Sequence, residues 1–534
     1  MKNNFKLFIS AGLLAVTAGC TDLDVDIKSQ YTEFPDSEIA AEAKLSDTYY
    51  IFRGPLGRRY NDLQSFSSDE FTGVSFDGDY YNEGENSHPT LHSLTTDDVS
   101  LYWSIDIPGG ITRCNRVILD LGGDESPMAA PAVAMRAFYT FIMMDNFGDT
   151  PIMDHLYADD EAVERAPRAQ VAEFIESDLL KALPNLSKKS DISTYGKPNY
   201  WMAKALLAKL YLNWSVYTCG DVTTYEPTMS NPKLNDCIAA CDEIIESGLF
   251  NLSDNYREKF FPENGSHIKD FIYAMPFDRI TQQGMTYARF RTWRQANKLD
   301  ASYYGFKLNA SVGGNMAVNP EMADLFCLEG DDRNAIIIGG PVYMFDTNRK
   351  LTSEPCLYNG EQLVFTKEIK IKEGSVPTEI NVGKNVAGWS MGYKSIKWFP
   401  HYDDYLNGRN QSNDVPIFRY ADILLEKAEA ILRGGSATKG DTPQSLMNEI
   451  RQYVHAPSID KAPSLQDLLD ERGRELFDES WRRNDLIRFG KFEDDWGLKH
   501  VINPQAKTEK FRRIYPIYKD LMKSNTNWKQ NPGY

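Results

Sequence analysis

The sequence predicts a mostly α-helical protein in which paired helices form a scaffold, with long loop regions and a small strand-containing insert. Long segments such as residues 199–217 are apolar almost all round, which is typical of helices buried on most sides. Residues 54–94 and 279–316 show no sustained hydrophobic period and are rich in polar, glycine and aromatic residues, which predicts loops. Residues 335–345 and 362–372 carry β-branched side chains, which predicts a few strands.

The predicted helices follow one another through most of the chain. Thr95 and Asp98 form a capping-box pattern at the start of one helix, which we expect to be interrupted at residues 108–110 (Pro-Gly-Gly). Helix pairs of this kind indicate a solenoid of tetratricopeptide type, although no clean 34-residue repeat is present. The predicted helical segments are residues 36–52, 95–121, 127–147, 167–183, 199–217, 234–247, 256–261, 416–433, one that starts at residue 442, and 464–489.

Residues 1–20 resemble a secretory lipoprotein signal that is cut before Cys20. Lys2 and Lys6 give a positive start, residues 7–18 form a short apolar run, and small residues lead into Cys20. The run is too short to span a bilayer, which needs about 20 apolar residues. Thr17 stands where such signals usually have Leu. A buried first helix is the alternative, but the segment contains no acidic residue. We expect residues 1–19 to be removed and Cys20 to carry lipid.

The charge of the mature chain excludes some partners. Cleavage would remove two of the 58 lysines and arginines, which leaves 56 basic and 76 acidic side chains and a net charge of −20. An acidic protein is a poor candidate for nucleic acid, because that binding depends on neutralising phosphates with Lys and Arg. Electrostatic membrane binding is disfavoured for the same reason, so attachment depends on the lipid.

Residues 20–35 form a lipidated acidic tether, and residues 36–534 are expected to be one domain because no Pro/Ser/Gly-rich linker divides them. Asp22, Asp24, Asp26 and Glu33 match the ligand spacing of a calcium loop, but Ile27 replaces the required Gly. A solvated tether is therefore the favoured interpretation. Six cysteines remain in the mature chain, too few for a disulfide framework. Cys237 and Cys241 are interpreted as small buried side chains.

Catalytic signatures are mostly missing from the sequence. There is no G-x-S-x-G, phosphate loop, dinucleotide-binding G-x-G-x-x-G or H-E-x-x-H motif, and no cofactor is predicted. His88 and His92 are four apart, but Pro89 between them argues against a helical metal pair. Carboxylates are too numerous to indicate a glycosidase pair, whose spacing is set in three dimensions.

The two loop regions provide the stronger functional signal, because aromatic rings can stack on the apolar face of a sugar. Loops also carry binding groups more often than helices do. Arg58 and Arg59 could donate hydrogen bonds to ring hydroxyls or to a carboxylate. The alternative is that the aromatic side chains only pack the loops down. The ligand-binding candidates are Arg58, Tyr80, Tyr81, Tyr287, Trp293, Tyr303 and Tyr304.

Several segments together resemble the SusD/RagB family of outer-membrane nutrient-binding lipoproteins. Cys20 is followed by an acidic segment, and residues 68–71 (Ser-Asp-Glu-Phe) resemble the family's acidic motif that opens the first loop region. Residues 135–151 read MRAFYTFIMMDNFGDTP, similar to the family's helix that ends in F-G-D-x-P. The other matching segments are residues 195–213, 242–256, 414–434, 472–491 and the terminal 531–534 (NPGY).

The resemblance implies a mostly α fold with tetratricopeptide-like helix pairs, on the outer face of the outer membrane. It also implies a SusC-like TonB-dependent transporter as partner and a glycan as ligand, which is delivered without being cleaved. The alternatives are a peptide-binding member of the same family, a glycoside hydrolase, and a protein-interaction solenoid without a small ligand.

The charged residues near the C-terminus are interpreted as structural. Arg474 and Asp478 are four apart on the predicted helix, as are Glu479 and Arg483. Such pairs contribute about 0.2–0.5 kcal/mol each when exposed. We expect them to build the scaffold rather than to bind ligand.

Overall fold

The computed structural model describes residues 38–158, 160–286, 314–401, 403–404 and 410–534. It is mostly helical with small sheets, which confirms the predicted fold class. The chain divides into two units, Met1–Ala43 and Lys44–Tyr534; of the first, only residues 38–43 are described. Cys20, the acidic tether and the calcium-like Asp22, Asp24, Asp26 and Glu33 all lie outside the described residues.

The described α-helices vary from single turns to five turns. They are Glu38–Tyr49 (α1), Arg53–Leu56 (α2), Arg59–Phe66 (α3), Ser87–Thr90 (α4), Asp106–Asp120 (α5), Ala130–Phe147 (α6), Arg168–Ala182 (α7), Tyr200–Leu212 (α8), Trp214–Thr218 (α9), Leu234–Glu246 (α10), Pro320–Ala323 (α11), Val386–Trp389 (α12), Tyr420–Leu432 (α13), Pro443–Tyr453 (α14), Leu465–Glu475 (α15), Arg482–Arg488 (α16), Lys499–Ile502 (α17) and Lys519–Ser524 (α18). No helix in these described ranges is long and apolar enough to cross a membrane.

The described strands form antiparallel pairs, β1 with β5, β2 with β3, β14 with β4, and four pairs in the insert. The insert pairs are β13 with β6, β12 with β7, β8 with β9, and β10 with β11. The strands are Phe71–Gly73 (β1), Thr150–Pro151 (β2), Arg165–Ala166 (β3), Phe271–Met275 (β4), Met316–Val318 (β5), Ile337–Ile338 (β6), Gly340–Pro341 (β7), Tyr343–Phe345 (β8), Leu351–Pro355 (β9), Leu357–Tyr358 (β10), Glu361–Gln362 (β11), Val364–Phe365 (β12), Lys394–Ser395 (β13) and Val415–Arg419 (β14).

Neighbouring helices pack in pairs, α5 with α6, α6 with α7, α8 with α10, and α13 with α14. α6 is buried along almost its whole length because its Ala and aromatic residues leave no polar face. Arg136 on α6 donates from Nε and Nη2 to the Asp178 carboxylate on α7, at 2.8 and 2.9 Å. This buried bidentate pair fixes the register of the two helices.

The region at residues 54–94 is more regular than the sequence predicted, because it contains α2, α3, α4 and β1. The prediction of loop was wrong for α3 because the buried face of this helix is partly polar. Gln64 donates to the Asn146 side chain and Asn61 accepts from the Ser480 hydroxyl, each at 2.5 Å. Buried amides paired to distant partners leave no hydrophobic period in the sequence.

Several predicted helices have different boundaries in the structure, and the helix predicted at residues 256–261 is only the short 3₁₀ helix Glu258–Phe260. α5 runs without interruption through Gly109 and Gly110, and the break falls earlier, where the 3₁₀ helix Val99–Ile105 meets α5. The predicted helix at 199–217 divides at Asn213 into α8 and α9. Residues 416–433 begin as strand β14, whose β-branched and aromatic residues suit its pairing with β4. In the insert, the strand predicted at 362–372 ends by Phe365.

The predicted helix at residues 464–489 breaks between α15 and α16, where Asp478 and Ser480 have φ of +61° and +69°. The predicted pairs are therefore wrong. Glu479 instead binds Lys397 and Arg419, at 2.6 and 2.7 Å. Arg483 Nη2 donates to the Arg513 carbonyl oxygen at 2.7 Å. These residues do serve the scaffold, as expected, but through long-range contacts.

Arg419 is the centre of a buried charge cluster that connects β4, β14 and α15. Its guanidinium binds Asp270 at 2.6 Å, Glu475 at 2.9 Å and Glu479 at 2.7 Å, and all four side chains are buried. Burial alone would raise the pKa of Asp270, but nearby Lys259 and Arg419 lower it well below its usual value. Each charge in this cluster therefore depends on its partners.

Candidate functional site

Hydrogen bonds connect the two aromatic regions of the sequence at their bases. Thr286 immediately precedes residues 287–313, which lie outside the described residues. It donates its backbone N–H and its hydroxyl to the Gly57 carbonyl oxygen, each at 3.1 Å. Beyond that segment, the Asn315 carbonyl oxygen accepts from the Val74 N–H at 2.9 Å, and β5 pairs with β1. Both ends of the second region therefore lie against the first.

Gly57 allows this close approach. A Cβ atom at this position would lie 2.2 Å from the Gly284 carbonyl oxygen, closer than any real contact. The φ of Gly57 is −64°, so its special role comes from space rather than from a left-handed conformation. The glycine therefore sets Arg58, the next residue, directly beside the segment that leads into the second aromatic region.

Arg58 and Arg59 share one carboxylate. Arg58 Nη2 and Arg59 Nε each lie 3.5 Å from Glu85 Oε1, and Asn82 Nδ2 donates to Glu85 Oε2 at 3.0 Å. The arginine side chains are 31% and 35% exposed, whereas that of Glu85 is 9% exposed. The 3.5 Å separations are longer than those of a direct charge-assisted hydrogen bond, and both arginine side chains are partly exposed.

Tyr102 was not identified from the sequence, where it falls inside a predicted helix. The structure places it in a 3₁₀ helix, 46% exposed, with the Arg59 guanidinium 5.3 Å from its ring centre. The Tyr518 ring packs edge-on against it at 6.1 Å. No pattern in the sequence distinguishes Tyr102, because its exposure depends on how the helix packs.

Residues 77–84 hold an unusual backbone conformation. Four non-glycine residues have φ between +44° and +66°, a region that costs energy for side chains other than glycine. Lys372 and Asn381 hold the segment by donating to one Asp77 carboxylate oxygen at 2.7 and 3.1 Å. Such strain is typical of segments that position a ligand. The four residues are Asp77, Tyr80, Asn82 and Glu83.

The two tyrosines of this segment differ in their surroundings. Tyr80 packs against the buried cluster that contains Val74, Leu91 and Ile380, and its ring meets Phe76 edge-on at 6.2 Å. For Tyr80, the structure therefore shows the packing role that the sequence left open. Tyr81 is partly exposed and precedes the 3₁₀ helix Asn82–Gly84.

The other candidates, Tyr287, Trp293, Tyr303 and Tyr304, lie outside the described residues. The structure fixes only the positions from which their segment starts and to which it returns, at Thr286 and Asn315. Their role in ligand binding remains a prediction from the sequence.

The acidic motif at residues 68–71 binds to the scaffold. Arg482 forms a bidentate pair with Asp69 at 2.7 Å. Glu70 is buried, and its carboxylate accepts from the Asp478 N–H at 2.6 Å. Burial, followed by the neighbouring Asp478 charge, raises the pKa of Glu70 to about 8. The motif therefore fixes the first aromatic region to the break between α15 and α16.

His88 and His92 have separate structural partners. His88 Nδ1 lies 2.5 Å from the Asp98 carboxylate, and its ring fills the space beside Gly84. His92 is buried, stacks on Phe492 at 4.3 Å, and has its Nε2 3.1 Å from the Ser67 carbonyl oxygen. Burial lowers the pKa of His92 well below its usual value. Within the described ranges, no three His, Cys, Asp or Glu side chains are grouped to hold a metal ion.

The six cysteines from Cys114 to Cys356 are all described, and none of them forms a disulfide. Cys237 and Cys241 are both fully buried on α10, as their spacing indicated.

The described part of the site therefore offers two accessible guanidinium groups, one carboxylate and two partly exposed phenol rings. These groups can stack on apolar ring faces and exchange hydrogen bonds with hydroxyl groups. This is the chemistry of binding a polar ring compound.

Comparisons with known proteins agree with this arrangement. A model of the "SusD family" matches residues 269–534, and a model described as "Starch-binding associating with outer membrane" matches residues 23–212. The starch-binding protein SusD of Bacteroides thetaiotaomicron is 23% identical over 425 residues, which cover 75% of this chain and 71% of that protein. The SusD-like protein P38 of Formosa agariphila is 23% identical and covers 99% of this chain and 98% of its own.

A solved structure of a laminarin-binding SusD-like protein has the same fold. Its TM-score is 0.67 at 22% identity, and the match covers 93% of this chain and all of that one. The two family models match separate parts of the sequence and together cover most of the chain. The chain therefore belongs to the SusD family.

Proposed function

We propose that this protein captures an oligosaccharide or polysaccharide at the cell surface and delivers it to a SusC-like TonB-dependent transporter without cleaving it. One observation carries the proposal: both ends of the second aromatic region are hydrogen-bonded to the first. The described residues on both sides of the second region therefore lie beside the first region, although they are more than 200 positions further along the chain. The names of the relatives, starch-binding and laminarin-binding, support a glycan as the ligand class.

The proposed glycan site combines Arg58, Tyr81 and Tyr102 of the described residues with aromatic side chains of the second region. A pyranose ring has an apolar C–H face that can stack on a phenol or indole ring. Its hydroxyls can accept from the two guanidinium groups and donate to Glu85. The strained segment at residues 77–84 would hold Tyr81 in place before the ligand arrives, which reduces the entropy lost on binding. The candidates from the second region are Tyr287, Trp293, Tyr303 and Tyr304.

The proposed location is the outer face of the outer membrane, with lipid on Cys20. Two findings support it: the signal-like residues 1–20 and the family model whose description names the outer membrane. A lipid anchor on a short tether would keep the binding domain close to its transporter, at a high effective concentration. Residues 36–534 would then act as one binding domain.

Calorimetric titration of the mature chain tests the ligand class. We expect saturable binding of neutral glycans such as starch or laminarin oligosaccharides, with no release of new reducing ends during incubation. The triple variant Trp293→Ala, Tyr303→Ala, Tyr304→Ala should lose this binding. The control variant Tyr157→Ala removes a partly exposed tyrosine that stacks on His155 elsewhere, and it should bind normally. Saturation by peptides alone, or sustained hydrolysis of a bound glycan, would contradict the proposal.

A further inference from the structure

A second cleft lies between the segment at residues 255–261 and the strand insert. Its volume is about 630 Å³, within the range of roughly 300–1,000 Å³ typical of small-molecule sites. None of the ligand-binding candidates above lines it. We call it the insert cleft, and its most informative lining residues are Arg257, Phe261, Ile337, Tyr343, Arg349 and Leu351.

The insert cleft has an apolar floor. Ile338, Phe345 and Ile396 line it and also belong to the buried core of the insert, against which Phe261 packs. Leu351 at its edge is 57% exposed, which is unusual for a large aliphatic side chain in a concave site. The floor is therefore rigid and apolar, and part of its wall is open to water.

Arg257 brings an unbalanced positive charge into this cleft. Its Nη1 donates to the Ala335 carbonyl oxygen at 2.7 Å, and its guanidinium lies 5.6 Å from the centre of the Phe261 ring. Within the described ranges, no carboxylate lies within 4.0 Å of it, although most buried or half-buried arginines of this chain have such a partner. Loss of hydration lowers the pKa of Arg257 to about 10, so it stays charged at neutral pH.

Arg349, across the cleft, differs from Arg257 because it has an acidic partner. Its two Nη atoms form a bidentate pair with Glu263 at 2.7 and 2.6 Å, and its guanidinium lies 4.9 Å from the same Phe261 ring. The phenylalanine therefore contacts one neutralised and one unneutralised guanidinium. Among the side chains that line the cleft, three are basic and one is acidic: Arg257, Arg349 and Lys350 against Glu258.

This local positive charge is notable in a chain whose net charge is −18. Arg257 is partly exposed and has no acidic partner within the described residues, so its charge is available to an anionic ligand, and carboxylates suit its forked geometry. The rim adds the side-chain amides of Asn255, Asn334 and Asn348, of which the Asn334 carbonyl oxygen is buried without a hydrogen-bond partner. Amides placed around an apolar floor suit a ring compound with several hydroxyls.

We propose that the insert cleft is a second glycan site that binds a carboxylate-bearing sugar residue of the uronic acid type. The carboxylate binds Arg257, the C–H face of the ring lies on the apolar floor, and the hydroxyls meet the asparagine rim. The choice of carbohydrate, rather than another carboxylate, rests on the proposed function. The cleft would make the protein selective for glycans that carry both neutral and acidic residues.

Titration of the full mature chain with an oligogalacturonate, and with the same oligosaccharide after its carboxylates are reduced to alcohols, tests this site. We expect the reduced ligand to bind at least about tenfold more weakly, since a hydrogen bond to a charged group contributes about 1.5–3 kcal/mol. Arg257→Gln should remove this preference while leaving neutral-glycan binding at the Arg58 site unchanged. Equal affinity for the two ligands, or an unchanged preference in Arg257→Gln, would overturn the inference.

Two substitutions of opposite charge at Leu351 provide a second test if Arg257→Gln folds poorly. Leu351 is exposed, so both Leu351→Glu and Leu351→Lys should fold, and only the glutamate should weaken oligogalacturonate binding. Equal effects of the two substitutions would count against the site. Stronger binding of peptides with a free C-terminal carboxylate, lost in Arg257→Gln, would assign the cleft to peptides instead. If the wild-type chain bound oligogalacturonate but no neutral glycan, the result would contradict the proposed function but not the carboxylate site.

Discussion

Thr286 donates both its backbone N–H and its side-chain hydroxyl to a single acceptor, the carbonyl oxygen of Gly57. This contact joins two stretches of chain that are 229 residues apart. It places the start of the second aromatic region beside Arg58, and the pairing of β1 with β5 places its end against residues 71–73 of the first region. The candidate glycan site therefore depends on long-range pairing between two regions that are far apart in the sequence.

Gly57→Ala should destabilise the protein, because the added Cβ would meet the Gly284 carbonyl oxygen at 2.2 Å. Overpacking of this kind costs about 1–3 kcal/mol in the free energy of unfolding. Gly54→Ala is the matched control, since nothing lies within 4 Å of its Cβ position and it sits on helix α2. Urea unfolding of both variants measures the difference. Equal midpoints would show that the two regions do not approach as described.

Glu70→Gln should change how stability depends on pH. In the folded state the pKa of Glu70 is raised to about 8, whereas an unfolded glutamate titrates near 4.5. Between these values the unfolded chain releases the proton and the folded chain retains it, so wild-type stability falls as pH rises. The variant cannot ionise, and its stability relative to wild type should therefore increase from pH 5 to about pH 8.

Unfolding by guanidinium chloride at several pH values measures that difference, with the exposed Glu125→Gln as control. A difference between wild type and Glu70→Gln that stays constant across this range would show that Glu70 ionises normally in the folded protein.

Arg419→Met should be strongly destabilising, since it leaves Asp270, Glu475 and Glu479 without their shared cation. Removing one partner of a buried ionic cluster costs about 3–5 kcal/mol. The exposed pair of Arg113 and Asp47 offers the comparison, and Arg113→Ala should cost at most about 1 kcal/mol. Thermal unfolding followed by circular dichroism separates the two. A small effect at Arg419 would mean that the cluster is hydrated.

Tyr80→Ala and Tyr81→Ala should affect different properties. Tyr80 is partly buried and packs on the cluster around Val74 and Ile380, so its loss should lower stability by about 0.5–3 kcal/mol. Tyr81 is partly exposed, so its loss should leave stability nearly unchanged and weaken glycan binding. Thermal unfolding and calorimetry on both variants provide the comparison. A loss of stability in Tyr81→Ala together with a loss of glycan binding in Tyr80→Ala would contradict these roles.

The sequence predicted the helices whose buried face is apolar, such as α6 and α8, because their hydrophobic pattern is local. It missed α3, whose buried Asn61 and Gln64 side chains each form a hydrogen bond with a partner more than 80 residues away. It also joined α15 to α16, since nothing local indicates that Asp478 turns to donate its N–H to Glu70.

The candidate site shows the same limit. Arg58 was identified from its position before an aromatic loop, but Tyr102 and Arg257 were not. The exposure of Tyr102 depends on helix packing, and the lack of an acidic partner for Arg257 among the described residues is visible only in three dimensions.

A double-mutant cycle between Arg58→Ala and Trp293→Ala, read by calorimetric titration with a neutral glycan, tests most directly whether the two regions form one site. If one bound glycan contacts both residues, each substitution should weaken binding, and their effects should deviate from additivity by at least about 0.5 kcal/mol. Strict additivity, or normal glycan binding by the double variant, would contradict a single site built from the two regions.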